Sequence, residues 1–269
     1  MKKKGLQTVW LMLVVAFLYL PILILAVYSF TKSTMIGSIR GFSVHNYVTL
    51  FTTKELTDMI IGTVFLALLV AVLSSILGTL GAIGIFYSSK KTRMGIELVN
   101  QIPVVNSDVV TGFSICVLLI VFAGIDKDTY IPLILPTIAA PAVVFFMKQY
   151  MDSSLPRDII DAARIDGSGE FHTFNTVILP ILKPAMAVQA IFSFVGAWNN
   201  YFIPALIIND AKWKTVPILV AQLRSADFLK FDMGKVYMMI TIAILPVMIV
   251  YLLLSKYIVR GVALGSVKG

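Results

Sequence analysis

The longest charged interruption in the C-terminal half of this chain is the stretch of residues 155–184. Pro156 stands where the first turn of a helix tolerates proline, and isoleucines and alanines then alternate with charged residues, as is typical of a short amphipathic helix. Gly167 and Gly169 follow, and glycine accepts the left-handed conformation in which helices end. These residue types indicate noncovalent docking, because an acid can pair with a base of a partner and small residues admit a close surface.

Six residues of this stretch form the candidate docking pattern. They occupy two segments, Asp-Ala-Ala-x-x-x-Gly and a later Leu-Pro, and are Asp161, Ala162, Ala163, Gly167, Leu179 and Pro180. Between the segments we expect a second helical piece that is ended by Pro180 and Pro184, since proline lacks the N–H of a helix interior.

The pattern is similar to the EAA loop in the permease subunits of binding-protein-dependent ABC importers. In that family the loop forms a coupling helix, which sits in a groove of the cytoplasmic ATPase. The resemblance implies that the six residues couple this chain to an ATPase. Asp161 stands where glutamate is usual and Val177 where isoleucine is usual, and both replacements are conservative.

Composition indicates a membrane protein. Of the 269 residues 58% are hydrophobic and 13% are charged, with a mean hydropathy of +0.91, whereas a soluble domain carries about twice that share of charge. Apolar windows predict six transmembrane helices in one all-α, polytopic membrane domain that covers residues 1–269. The predicted spans are about 9–30, 59–87, 103–124, 130–151, 185–208 and 236–258.

The positions of lysine and arginine predict the orientation. Lys2, Lys3 and Lys4 precede a first apolar run that is too long for a signal peptide, so we expect an uncleaved first span. The positive-inside rule then places both termini, the loop with Lys90 and Lys91, and residues 155–184 in the cytoplasm.

Several chemistries are disfavoured by the sequence. The net charge of +8 comes without a basic stripe with interleaved aromatics, which argues against nucleic acid. Cys116, His45 and His172 are too few and too far apart for a zinc site. The G-x-x-x-x-G-K-[ST] loop and the common hydrolase motifs are absent from the sequence. We therefore expect a subunit that is not an enzyme and that carries no cofactor or metal.

Four residues are candidates for a solute pathway: Asp108, Trp198, Asn199 and Asn200. Polar groups within a membrane are costly unless they face water, another helix or a polar solute. Asp108 could instead sit at the cytoplasmic interface, and the two amides could bond to a second subunit. In a regular helix Gln189, Ser193 and Asn200 would lie near one face.

The resemblance also implies an assembly. The expected fold is the transmembrane domain of a type I ABC importer (MetI-like) in the inner membrane of a bacterium. Its partners would be an ATPase dimer, a homologous but different second permease and an extracytoplasmic solute-binding protein.

The cargo is the open question at this point. From about Tyr130 to the tail 257–269 the chain resembles carbohydrate permeases, whereas NQIPVVNSDVVTG and the opening segment look more like polyamine permeases. We favour a sugar or oligosaccharide, because Trp198, Asn199 and Asn200 suit one. A polyamine is the alternative. A stand-alone carrier or channel, or a membrane enzyme, would be a function of another class.

Overall fold

The computed structural model describes residues 2–31, 41–138, 141–225 and 233–265. Within these ranges the regular structure is helical, apart from one isolated antiparallel bridge between Thr31 and Phe42. The α-helices are α1 (Lys2–Tyr28), α2 (His45–Thr52), α3 (Lys54–Tyr87), α4 (Lys90–Val105), α5 (Asp108–Val121), α6 (Ile131–Ile138), α7 (Pro141–Ser154), α8 (Arg157–Ile165), α9 (Glu170–Thr173), α10 (Leu179–Trp198), α11 (Phe202–Ile207), α12 (Val216–Ser225) and α13 (Met233–Gly265). A π-helical turn, Phe174–Ile178, joins α9 to α10, and a 3₁₀ turn covers Ala211–Trp213.

Five helical segments are long and apolar enough to cross a membrane, and each overlaps a predicted span. They are Gln7–Tyr28, Lys54–Tyr87, Ile131–Ser154, Glu170–Ile207 and Gly234–Tyr257. The all-α membrane fold predicted from the sequence is therefore confirmed.

The third predicted span, 103–124, differs from a single long helix. Asn106 and Ser107 have extended backbone conformations, so α4 ends before them and α5 begins after them. At 1.5 Å per residue the 14 residues of α5 rise only about 21 Å, less than the ~30 Å hydrocarbon core. The hydropathy window missed this break because apolar residues stand on both sides of it.

The chain forms two compact units, whose boundaries fall within α3, between Lys214 and Thr215, and within α13. The first comprises Met1–Ile61 and Thr215–Pro246. In it, Phe30, two residues after the end of α1, stacks on Phe42 and on Tyr47, with ring centroids 5.4 and 4.7 Å apart. The Ser29 and Tyr47 hydroxyls are 2.6 Å apart. Aromatic packing thus fastens α2 to the end of α1.

The second unit, Gly62–Lys214 with Val247–Gly269, contains residues 155–184, the docking segment. Its buried core joins residues of α3, α7, α8 and α10 with neighbouring turns: Ala82, Phe86, Val143, Met147, Met151, Leu155, Ile160, Ile178, Leu182 and Ala185. Small residues permit the close approach of α3 to α7, because a Cβ atom at Gly78 would overlap the Val143 side chain. A Cβ atom at Gly81 would lie 3.1 Å from Val144 Cγ2.

Candidate functional site

The docking segment, residues 155–184, begins with helix α8. Pro156 is its N-cap, with φ −62° and ψ 137°, and Gly167 follows its last turn with φ +78°. The Gly167 N–H donates to Arg164 O and the Ser168 N–H donates to Ala163 O, each over 3.0 Å. This pair of bonds is a Schellman motif, in which a left-handed residue satisfies the last carbonyls of a helix. The predicted role of Gly167 as the helix stop is confirmed.

Gly169 has a different role from the predicted one. Its φ of −70° is ordinary for any residue, and it serves as the N-cap of α9. The reason is that a single left-handed residue suffices to end α8, so the chain can enter the next helix at once.

One side of α8 is fixed to the membrane helices. Ile160 is only 3% exposed and belongs to the buried core of the second unit. Arg157 donates from Nη2 to Phe86 O over 3.3 Å, and its guanidinium lies 5.1 Å from the centre of the Phe86 ring. Because Phe86 is in the last full turn of α3, these contacts with Arg157 would transmit a movement of α8 to α3.

Arg164 makes surface contacts that connect α8 to its neighbours. Its Nη2 lies 2.8 Å from Glu170 Oε1, its Nη1 lies 3.8 Å from Asp161 Oδ1, and its guanidinium is 5.8 Å from the centre of the Tyr87 ring. The hydrogen bond to Glu170 raises the pKa of Arg164 above its ordinary value. These side chains are well exposed, so such pairs orient the segment more than they stabilise it.

The other side of the docking segment is open. Asp161, Ala162 and Gly167 are exposed, and Ala163 is half-buried. Two large apolar side chains are also outside the core, Ile165 at 86% and Phe171 at 82% exposure. Exposed apolar groups of this size beside a charged helix indicate an interaction surface.

The second part of the segment differs from prediction, because Pro180 and Pro184 do not end a helix. Pro180 lies in the first turn of α10 and Pro184 lies further inside that helix. The preceding π-helical turn bonds over five residues, with the Leu179 N–H donating to Phe174 O. The wider turn, together with the tolerance of the first turn for proline, lets the helix continue. Leu179 is half-buried and Pro180 is exposed.

A cavity of about 630 Å³ lies within the second unit. Its walls are mostly apolar and come from α3, α4, α5, α6, α7, α10 and α11 with adjoining residues. Among the described lining residues the polar side chains are uncharged: Thr111, Cys116, Thr137, Gln189, Ser193 and Asn200.

A hydrogen-bonded row runs along one wall of this cavity. Gln189 Nε2 donates to Ser193 Oγ over 3.0 Å, and Ser74 Oγ donates to the same oxygen over 2.8 Å, joining α10 to α3. Gln189, Ser193 and Asn200 all line the cavity, but they do not share one regular helix, because α10 ends at Trp198 and Asn200 follows that end.

The four predicted pathway residues are separated by the structure. Asn200 lines the cavity, whereas Trp198 is 1% exposed and its ring stacks on Phe194, with centroids 6.1 Å apart. Asn199 is the exposed C-cap of α10 and lies outside the lining. Asp108 begins α5, and its side chain lies outside the described part of the structure.

Sequence reasoning missed a polar contact that joins two loops of the second unit. Asp128 Oδ1 accepts the backbone N–H groups of Asn209 and Asp210, over 2.7 and 2.9 Å. These two bonds, that of Asp210 first, hold the pKa of the Asp128 carboxyl below its ordinary value. Nearby, the rings of Tyr130 and Trp213 meet edge to face at 4.9 Å. Partners 81 and 82 positions apart leave no local sequence signal.

Comparison with known proteins agrees with this arrangement. The family of binding-protein-dependent transport system inner membrane components matches residues 74–264, which include both the docking segment and most of the cavity lining. The chain belongs to this family. Membership confirms the resemblance seen in the docking segment and identifies the chain as a membrane component of a transport system rather than as an enzyme.

Two curated relatives have been named for sugars. An arabinooligosaccharides transport system permease protein of Bacillus subtilis (strain 168) is 39% identical over 145 residues, 53% of this chain and 50% of that protein. The melibiose/raffinose/stachyose import permease protein of the same organism is 29% identical over 231 residues, 84% of this chain and 82% of that protein. The match thus spans about half the length of the first relative and most of the second.

A solved structure has the same fold. A chain of a bacterial ABC transporter involved in the import of the acidic polysaccharide alginate superposes with a TM-score of 0.79, covering 94% of this chain and 95% of that chain. At 18% identity the likeness shows the fold alone.

Proposed function

We propose that this chain is the permease subunit of an ABC importer for a sugar or oligosaccharide, driven by ATP hydrolysis in a separate subunit. The observation that carries the proposal is the two-sided docking segment. One side of α8 is packed through Ile160 into the buried core of the second unit. On the other side, Asp161, Ala162 and Ile165 are exposed and available to a partner.

The packing supplies a mechanism. When a docked ATPase closes on ATP, it would displace α8, and α8 shares its core with α7 and α10. Both of these helices contribute to the cavity wall, through Val143, Gln189 and Ser193. A rigid-body movement of α8 would therefore change the cavity, provided that the ATPase contacts the two states differently.

The substrate class follows from the relatives and from the cavity. The relatives described above are named for arabinooligosaccharides and for melibiose, raffinose and stachyose. An alignment of 231 residues extends well into the N-terminal half, where the sequence resembled polyamine permeases. Amide and hydroxyl groups such as those of Gln189, Ser193 and Asn200 suit a neutral polyol, whereas a polyamine cation calls for carboxylates.

The remaining partners complete the assembly. We place the chain in the inner membrane of a bacterium, with both termini in the cytoplasm, because Lys2–Lys4, Lys90 and Lys91 favour that orientation. A homologous but different permease would complete the pathway, and a solute-binding protein would deliver the solute outside. The chain itself would need no cofactor.

The test begins with affinity purification of the tagged chain in mild detergent, followed by mass spectrometry of the co-purifying subunits. We expect an ATPase with a phosphate-binding loop and a second permease. A chain that purifies alone, under conditions that preserve a known importer complex, would instead support a carrier or channel.

The cargo is tested by reconstituting the complex in liposomes with its binding protein. We expect ATP-dependent uptake of labelled arabinotriose or raffinose and no uptake of spermidine. Uptake of spermidine without uptake of either sugar would establish the polyamine alternative.

A further inference from the structure

Four charged side chains form a closed ring between α4 and α7. Arg93 Nε lies 2.9 Å from Glu97 Oε1, and Arg93 Nη2 lies 2.8 Å from Asp152 Oδ2. Lys148 Nζ lies 3.0 Å from Glu97 Oε1 and 2.7 Å from Asp152 Oδ2. Each charge therefore has two neighbours of opposite sign, and the ring is neutral as a whole.

The ring is partly shielded from solvent. Its side chains are between 15% and 31% exposed, with Lys148 the least. The hydrogen bonds from Arg93 and then from Lys148 hold the pKa of Glu97 below its ordinary value, so this carboxylate stays charged. In such surroundings loss of one member leaves a neighbouring charge uncompensated, which costs more than an exposed pair contributes.

The ring connects helices that otherwise serve different parts of the second unit. From Lys148 and Asp152, α7 leads through the buried Leu155 directly into α8. On the other side, α4 leads through the short break at Asn106 into α5, and Gly112 and Ile115 of α5 line the cavity.

Further polar and apolar features of α4 agree with this connection. Asn100 Nδ2 donates to Pro141 O over 3.0 Å, at the start of α7. Elsewhere on α4, Met94, Leu98 and Val99 are exposed. In the described residues, the hydrogen bonds and ion pairs between α4 and α7 are thus those of the ring and this amide.

We propose that Arg93, Glu97, Lys148 and Asp152 are positioning residues that make α4 and α5 follow the movement of α7 and the docking helix α8. This inference rests on the proposed function, since it assumes that an ATPase moves α8. Without the ring, α8 would still bind the ATPase and move α7. The part of the cavity wall that α5 forms would then not move with α7.

The chain offers a matched pair of variants for a test. Arg93→Glu reverses a charge within the ring, and Lys91→Glu makes the same charge change two residues away on an exposed position of α4. A third variant reverses all four members (Arg93→Glu, Glu97→Lys, Lys148→Glu, Asp152→Arg), so that every neighbour is again of opposite sign.

The measurement reports the position of α5 without a transported solute. Thr111, a cavity residue in the first turn of α5, is changed to cysteine in a Cys116→Ser background, and labelling by N-ethylmaleimide is timed in the assembled complex. With the native ring we expect ATP plus vanadate to change the labelling rate by about fivefold or more, the lower end of coupling between sites. We expect the same change with Lys91→Glu and with the four-charge reversal, and none with Arg93→Glu.

The outcomes separate the possibilities. If Arg93→Glu assembles and keeps the full nucleotide response, the inference is overturned. If it lowers only the amount of assembled complex, while the complex that remains responds normally, the ring is structural and the inference is again overturned. If the native chain captures no ATPase, or does not respond to nucleotide, the proposed function itself fails and the inference with it.

Discussion

The backbone N–H of Ser168 lies 3.0 Å from the carbonyl oxygen of Ala163, and this bond exists because Gly167 between them adopts φ +78°. Two residues of the docking pattern, Ala163 and Gly167, therefore belong to one capping structure. The pattern encodes the end of α8 as well as its exposed surface.

We expect Gly167→Ser to impair ATPase binding and uptake, because a left-handed conformation costs a non-glycine residue roughly 1–2 kcal/mol. Within the described residues no atom lies within 4 Å of a Cβ atom added at Gly167, so strain rather than internal overlap is the cause. Gly169→Ser is the matched control and should be neutral, since serine is a good N-cap at φ −70°. Co-purification of the ATPase and uptake measure the effect.

A further variant, Gly167→Asn, distinguishes the turn from the surface, because asparagine tolerates the left-handed conformation. Near-normal uptake would show that only the turn matters. Failure of Gly167→Asn, with the helix intact by circular dichroism of the purified chain, would show that the partner approaches Gly167 too closely for a side chain. Equal uptake by Gly167→Ser and Gly169→Ser would contradict the role of the turn.

Asn199 and Asn200 should differ in their effect on uptake, although they are adjacent. Asn200 lines the cavity and Asn199 does not, so Asn200→Leu removes a group that can bond to the solute. A neutral hydrogen bond contributes about 1 kcal/mol, so we expect the half-saturation concentration of the transported sugar to rise roughly fivefold. Asn199→Leu serves as the control, with co-purification of the second permease checked for both variants. Equal loss in both, or loss of assembly, would favour contact with that subunit instead.

The close contact of α3 with α7 predicts a difference between two glycines of α3. Gly78→Ala would force a methyl group against Val143, and overpacking costs about 1–3 kcal/mol. Gly84→Ala should be harmless, because no described atom lies within 4 Å of the added Cβ. Thermal unfolding of the purified complex in detergent measures both, and Val143→Ala should restore the stability of Gly78→Ala. An unchanged unfolding temperature for Gly78→Ala would show that α3 and α7 can separate at no cost.

The contact of Asp128 with Asn209 and Asp210 should depend on pH. The pKa of the Asp128 carboxyl in the folded chain lies below the ordinary value of 3.8. The stability that the ionised carboxylate contributes to the folded chain is therefore present above pH 3.8 and is lost as the pH falls through the lower, folded pKa. We expect the amides of Asn209 and Asp210 to exchange hydrogen slowly at pH 5–7 and faster in acid, after correction for intrinsic rates.

Two variants check this assignment. Asp128→Asn should exchange faster at every pH, because a neutral acceptor binds the two N–H groups less strongly. Asp126 Oδ1 accepts the Asp128 N–H over 3.0 Å, and asparagine keeps that oxygen, so Asp126→Asn removes a charge of the same loop and should leave the exchange of Asn209 and Asp210 unchanged. Slow exchange in Asp128→Asn at pH 7 would mean that other groups protect these amides.

Local sequence determined a large part of this protein. Long apolar runs predicted the membrane helices, because a chain in lipid must satisfy its backbone groups within a helix. The amphipathic run around Asp161 and the glycine after it predicted α8 and its end, since both depend on neighbours only a few residues away. The family followed from the same residues.

Tertiary structure decided the rest. Only packing shows that Asn200 lines a cavity while Trp198 lies in the core, because α10 ends at Trp198 and the residues after it no longer follow the helical period. The i, i+4 pairs Arg93–Glu97 and Lys148–Asp152 are visible in the sequence, but their closure into one ring is not. That closure requires Arg93 and Asp152, which are 59 positions apart in the sequence, to meet. Such contacts depend on the shapes of whole helices rather than on any local pattern.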